Sequence, residues 1–343
     1  MPCGFWTTIM RYSRHRVGKG FTYRDSAKET VKDKELIAFF RSLVIPPAWT
    51  EVEINSSNRA KIRATGYDAK GRKQYIYNAK YRLVREQSKF DRILRFAAEL
   101  GNMRAIVQTQ LRRRKLDRDK VLATMVRLLD IAYFRPGNEC YAKENKSYGL
   151  TTLRDKHLRI EGDAMIFDYT GKSNQRQQKA IIDARLTKIV QEINELPGYE
   201  IFKFVDENGT VQDVKSQDLN AYIREIMGPE FSAKDFRTWA GTLIAAETLD
   251  KMGTVEDGNT RQLKSNIRKA VVTVSEALGN TPTIARKSYI DPRVIDNYTA
   301  GKTLYHCSRE VNRLRNKMTN LSVQELGLLF LLKQDASTKR KRL

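Results

Sequence analysis

Tyr289 sits in the stretch "LGNTPTIARKSYIDP", residues 278–292, just after the cations Arg286 and Lys287 and just before Asp291-Pro292. A tyrosine in such a place can pack its ring and bond its hydroxyl, as tyrosines commonly do, or it can act as a nucleophile. Attack on a phosphodiester without a metal would make the protein itself supply several cations for the charge on a pentacoordinate phosphorus. It would also need an acid for the departing oxygen. Three stretches offer such groups. "AYFRPGNECY" places Arg135 where a helical pattern from Val121 to Ile131 breaks at Pro136-Gly137, so that the guanidinium projects from a helix end. "YTGKSN" puts Lys172 on or beside a turn. "SAKDFRTWAGTLIAAETL" opens with Ser232 and Asp235 at capping-box spacing, and Phe236, Ala240, Leu243 and Ile244 form an apolar stripe. Lys234 and Arg237, three apart, share another face beside Trp239. Taken singly, each has a plain structural reading as a solvated loop arginine, a surface lysine or helix-flank cations.

The elements that must hold these residues follow from periodicity. In "DKELIAFFRSLVIPPAW", Leu36, Phe39, Phe40 and Leu43 share a helical face that ends before Pro46-Pro47. "EVEI", "AKIRATGYD" and "RKQYIYN" read as strands, with "DAKG" turning the last two into a hairpin. From "KFDRILRFAAEL" onward the helical period dominates, with Phe90, Ile93, Leu94, Ala97 and Leu100 on one side and Gly101 as the stop. "HLRIEGDAMIFDYTGKSNQRQQKAIID" reads as two or three strands joined by turns at residues 161–163 and 171–174. The expected fold is therefore α+β: a small N-terminal mixed α/β domain built on an antiparallel sheet, residues 1–88, and a larger, mainly α domain with a small β-hairpin region, residues 89–343.

Composition narrows the partners. The 343 residues carry a formal net charge of +23, which makes a polyanion, and duplex nucleic acid first, the expected partner. Three cysteines, Cys3, Cys140 and Cys307, show no CxxC spacing, and His15, His157 and His306 are scattered. There is no phosphate-binding Gly-rich loop and no HExxH, so neither ATP nor a metal is expected as a cofactor. No window is long and apolar enough to cross a membrane, and the first twenty residues lack an apolar leader core.

Taken together and in order, Arg135 followed by "NKSYGLTTLRDKH", Lys172 in "GKS", "KDFRTWAGT", and Asn280 nine positions before Tyr289 resemble a type IB DNA topoisomerase of the bacterial and poxvirus group. The N-terminal stretches "YSRHRVGKGFTYRD", "SLVIPPAW" and "ATGYDAKGRKQYIY" extend the resemblance over most of the chain up to about residue 300. It implies Tyr289 as the nucleophile, Lys172 as the acid for the leaving 5′ oxygen, and Arg135 and Arg237 as the holders of nonbridging phosphate oxygens. Lys234 is implied as a further basic residue beside the phosphate. Many relatives carry histidine where this chain has Asn280. Asparagine can donate to a nonbridging oxygen but cannot titrate.

The resemblance further implies a monomer closing on double-stranded DNA as a clamp, in the cytoplasm, either at a bacterial nucleoid or in a viral setting. Arg72, Lys73 and Gln74 of "GRKQYIYN" are the candidate N-terminal DNA contacts. Tyrosine recombinases share the Arg, Lys, Arg and Tyr chemistry but typically carry histidine three residues before the second arginine, where Lys234 stands here. A non-catalytic DNA-binding protein would explain the charge and leave the ordered basic set beside Tyr289 unexplained. Tyr298, outside the motif, is expected to tolerate phenylalanine.

Overall fold

The computed structural model describes residues 11–256, 258–315 and 318–340. Cys3, the first ten residues and the last three residues of the basic tail "STKRKRL" lie outside them. The chain divides into two compact units, Met1–Asp91 and Arg92–Leu343.

The first unit is built on a five-stranded antiparallel sheet from β1 (Tyr12–Val17), β2 (Gly20–Arg24), β3 (Thr50–Ile54), β4 (Ile62–Tyr67) and β5 (Lys73–Tyr77), in the order β2-β1-β3-β4-β5. One helix, α1 (Lys34–Ser42), packs Phe40 against Tyr23, Val52, Ile54 and Ala64. Its start is fixed by Asp33, whose carboxylate accepts from the amides of Glu35 and Leu36. The β1–β2 hairpin was not expected. "YSRHRV" lacks apolar alternation because Arg14 occupies an inward position, only 9% exposed, and donates to the carbonyls of Ile45, Pro46 and Trp49 at 2.9–3.0 Å. A buried arginine whose charge is spent on three carbonyls does the work that a strand pattern assigns to an apolar residue.

A long helix follows, α2 (Ala79–Gln110), and the division between the units falls within it. The stop expected at Gly101 is corrected: the helix runs on for nine residues. Gly101 is there because a Cβ would stand 2.4 Å from the Thr319 carbonyl oxygen, so the absence of a side chain serves a close backbone approach.

The second unit contains α3 (Arg118–Ala132), α4 (Glu139–Asn145), and a three-stranded antiparallel sheet of β6 (Leu158–Glu161), β7 (Ala164–Thr170) and β8 (Arg176–Ile182). Then come α5 (Ala184–Asn194), the small hairpin β9 (Lys203–Val205) with β10 (Val211–Asp213), α6 (Ser216–Met227) and α7 (Ala233–Met252). The last elements are α8 (Thr260–Leu278), α9 (Pro282–Ser288), α10 (Pro292–Thr299), α11 (Ser308–Leu314) and α12 (Val323–Arg340).

Two helices are buried nearly all round at the levels that matter. Val121 to Val126 of α3 and Asp235 to Thr242 of α7 are all buried, so Arg237 lies inside the unit instead of on a flank. The C-terminal α12 packs against α7. It buries Leu326, Leu328, Leu329, Leu331 and Leu332, and Glu325 accepts from Arg104 at 2.8 Å, while Arg104 also binds Asp130 at 2.9 Å. The indole of Trp239 on α7 donates to the same Glu325 at 3.3 Å. Tyr298 of α10 is also held inside the unit, so Tyr298→Phe is expected to cost stability while leaving the cleavage site in place. It is 3% exposed, and its hydroxyl accepts from Asn266 at 2.7 Å and donates to the Gly253 carbonyl at 2.9 Å. Losing that hydroxyl leaves a buried amide donor without its acceptor.

Candidate active site

The centre of the site is the first half of α7. Ser232 and Asp235 form the expected box: the Ser232 amide and hydroxyl both donate to Asp235 at 2.9 Å, and Arg92 grips the same carboxylate at 2.7 Å. Half a turn later Arg237, 2% exposed, donates from Nη2 to the Leu278 carbonyl at 2.7 Å and from Nη1 to the Tyr133 carbonyl. Both acceptors are helix ends, where carbonyls lack intrahelical partners and the dipole favours a cation. Leu278 ends α8, and Tyr133, in the left-handed region with φ 59°, caps α3. One guanidinium thus joins the ends of two helices to a third.

Arg135 lies two residues beyond that cap. The Leu150 amide donates to its carbonyl, and the Thr151 amide to that of Pro136, each at 2.8 Å, which fixes the backbone of the segment. Its Nη2 donates to the Gly279 carbonyl at 2.9 Å and to Oδ1 of Asn280. Asn280 is held in turn by its own amide, which donates to the Ser275 carbonyl at 2.8 Å.

Two N–H groups remain. Nε of Arg237 and Nδ2 of Asn280 are buried and have no hydrogen-bond partner among the described residues. A buried donor left unpaired costs about 1–3 kcal/mol, so both would gain from acceptor oxygens. The nonbridging oxygens of a phosphate supply acceptors of that kind.

Tyr289 caps the C-terminus of α9, its amide donating to the Ala285 carbonyl at 3.0 Å. Its backbone rests directly on α7. A Cβ at Gly241 would stand 2.7 Å from the Tyr289 carbonyl oxygen and 2.9 Å from the Tyr289 Cβ, and Thr242 Oγ1 donates to that carbonyl at 3.2 Å. Gly241 and Thr242 are therefore seat residues that sequence reasoning passed over, although both lie in the quoted stretch "WAGT". The Arg237 guanidinium carbon lies 5.1 Å from the centroid of the phenol ring. Burial works to raise the phenol's pKa, but Arg237, through its charge and a hydrogen bond, outweighs it together with Arg135 and Lys172. The result is a phenol held below its ordinary value.

Lys172 stands on the turn between β7 and β8, exposed, with Ser173 at φ 63° and Asn174 at φ 59° tightening the loop. Its charge is among those felt by Tyr289. The structure thus brings Arg135, Lys172, Arg237, Asn280 and Tyr289 together. Lys234 lies one turn before Arg237 with its side chain exposed, outside the hydrogen-bonded set. Arg72, Lys73 and Gln74 belong to the first unit. There Arg72 Nε and Gln74 Nε2 donate to Asp68 at 2.9 and 2.8 Å, and these bonds, Arg72 foremost, draw that carboxyl down to about 2. Lys73 lies over the Tyr67 ring at 5.9 Å.

The sequence matches two family models. The one described as eukaryotic DNA topoisomerase I, catalytic core, covers residues 78–318, and the one described as bacterial DNA topoisomerase IB, N-terminal domain, covers residues 20–68. The chain is 32% identical over 293 residues to DNA topoisomerase 1B of Acanthamoeba polyphaga mimivirus, spanning 83% of this chain and 86% of that protein. It is 22% identical over 301 residues to DNA topoisomerase 1B of vaccinia virus (strain Copenhagen), spanning 84% and 90%. DNA topoisomerase 1 of Schizosaccharomyces pombe is similar over a shorter stretch, 29% identical over 131 residues, which is 38% of this chain and 15% of that protein.

Proposed function

The chain belongs to the type IB DNA topoisomerases, and from that premise we propose that Tyr289 is the residue that attacks the DNA strand. The observation that carries this assignment is the pair of unpartnered buried donors, Arg237 Nε and Asn280 Nδ2, in the cluster that holds the phenol below its ordinary pKa. In this reading the scissile phosphodiester lies among Arg135, Arg237 and Asn280, which take its nonbridging oxygens. The phenol loses its proton to water and its oxygen forms a bond to phosphorus, while the bond from phosphorus to the 5′ oxygen breaks. Lys172 gives its proton to that leaving oxygen, and an exposed ammonium on a turn has the freedom to follow it. The product is a 3′-phosphotyrosine and a free 5′-hydroxyl. The phosphodiester energy is retained in the new ester, so religation is the reverse step.

Asn280 has two tasks in this scheme, since it also accepts from Arg135. Asn280→Ala should slow single-turnover cleavage by roughly 10²-fold, the usual cost of losing an oxyanion donor. Asn280→His should keep useful activity while the ring is neutral, because one nitrogen can accept from Arg135 and the other can donate. As pH falls through the imidazole range near ~6.5 the ring loses its acceptor and faces Arg135 as a like charge, so that variant alone should lose activity between pH 7.5 and 5.5. Parallel acid losses in wild type and Asn280→His would argue against the acceptor role.

We also propose that one copy acts on one duplex, with both units contributing DNA contacts and with Lys234, Arg72, Lys73 and Gln74 among them. The net charge of +23 supports a duplex partner.

The reaction itself is tested by detergent trapping on end-labelled duplex DNA, in excess chelator and without ATP. A 5′ label on the cleaved strand should migrate with the protein and a 3′ label should be released. Protein attached to the 3′-labelled fragment, or an absolute need for ATP or a divalent ion, would remove this mechanism.

A further inference from the structure

The inward face of β8 carries Gln177, Lys179 and Ile181, of which Gln177 and Ile181 are buried. Lys179 therefore occupies a position where a strand of this kind places an apolar residue. It is in register with the fully buried Phe167 of β7, and its ammonium lies 5.6 Å from the ring centroid of Phe134. Phe134 immediately precedes Arg135 and stacks on Tyr169 of β7 at 6.1 Å. The charged groups that face Lys179 are Arg135, from the segment after α3, and Arg237, from α7; Tyr169 faces the same two arginines. Among the described residues no carboxylate offsets the ammonium. The nearest acidic position on β7, Asp168, binds Arg176 and Gln178 on the other face of the sheet. Three cations gathered in a largely buried place without an anion are an incomplete arrangement.

We propose that Lys179 is a protonation-linked cation of the cleavage site, taking up a proton as the phosphodiester of bound DNA enters and releasing it as the DNA leaves. Burial first, then Arg237 and Arg135, push its ammonium from 10.5 down to about 8 in the free protein. A phosphodiester seated on those two arginines brings a negative charge next to it and favours the protonated form. Lys179 is on this view a positioning residue: it acts through the two guanidiniums and the charge they hold. The inference rests on the phosphate lying at Arg135 and Arg237, as proposed above, and it needs nothing from Tyr289.

The test is binding calorimetry with the full-length Tyr289→Phe protein and a short duplex at constant salt, in two buffers of different ionisation enthalpy. At pH 8 roughly half of the free molecules lack the proton, so binding should take up about half a proton per duplex, and almost none at pH 6.5. Affinity should accordingly fall about tenfold between pH 7 and pH 9. Adding Lys179→Arg, which keeps the charge and does not titrate, should preserve affinity at pH 7 and remove both the uptake and the pH dependence. Adding Lys179→Met should also remove them, with weaker binding at pH 7 and with a melting temperature no lower than that of the parent, since an uncompensated buried charge is gone. Proton uptake that persists unchanged in both Lys179 variants, or that is absent from the parent at pH 8, would overturn the inference. Failure of the nucleophile assignment would show separately, as covalent adducts formed by the Tyr289→Phe protein itself.

Discussion

Tyr289→Phe protein is expected to bind duplex DNA close to wild-type affinity, to form no covalent adduct and to relax no supercoils. The expectation follows from how little the substitution disturbs. The ring remains beside Arg237, and the backbone that Gly241 and Thr242 seat is untouched. What is removed is the oxygen that would bond to phosphorus, and with it the hydrogen bond from Arg237. If the tyrosine were merely structural, losing its hydroxyl would cost about 1 kcal/mol of stability and leave most of the activity. Gel-shift binding, detergent trapping and plasmid relaxation on the same preparation distinguish the two outcomes, and relaxation within a few-fold of wild type would exclude Tyr289 as the nucleophile.

Arg237→Ala is expected to lower single-turnover cleavage by roughly 10²–10³-fold and, unlike Tyr289→Phe, to destabilise the fold as well. Its guanidinium serves the reaction and the architecture at once. It supports the phenol and offers Nε to the phosphate, while Nη1 and Nη2 satisfy the ends of α3 and α8. Leaving either carbonyl buried without a donor costs about 1–3 kcal/mol. Arg237→Lys separates the two roles. A lysine keeps the charge and can serve one carbonyl, yet it cannot reproduce the planar fork, so stability should recover in part while cleavage stays at least about 10²-fold down. Thermal melting beside trapping kinetics is the measurement. A lysine variant that cleaves within a few-fold of wild type would mean that charge alone is required at this position.

Much of the local structure was legible because it depends on neighbours in sequence. Asp-Ala-Lys-Gly at 68–71 turns a hairpin by its own chemistry, and Asp68 completes it by accepting from the amides of Lys70 and Arg72 at 3.0 Å. The Ser232–Asp235 box, the turn that carries Lys172 and the helix holding Leu36, Phe39 and Phe40 were open to the same kind of reasoning. The residues that gather at the site were marked by type and order.

What could not be read depends on groups brought from far along the chain. Gly101 looks like a helix stop until Thr319, more than two hundred residues later, presses against it. Arg14 hides a strand because its carbonyl partners lie at residues 45–49. Arg237 has the spacing of a flank cation, and its burial is decided by the ends of α3 and α8. Asn280 was assigned only a donor role, since its acceptor bond to Arg135 spans 145 positions. Lys179 carries no signal in a strand of mixed polar residues, and its unusual setting exists only once β8 faces the two arginines.

The most direct measurement is to trap the covalent complex on duplex DNA, digest the protein and the DNA, and locate the nucleotide-bearing residue by mass spectrometry. A 3′-linked nucleotide on the phenol oxygen of Tyr289 is the predicted result. Attachment to Tyr298, to any other tyrosine, or through the 5′ end of the broken strand would contradict it.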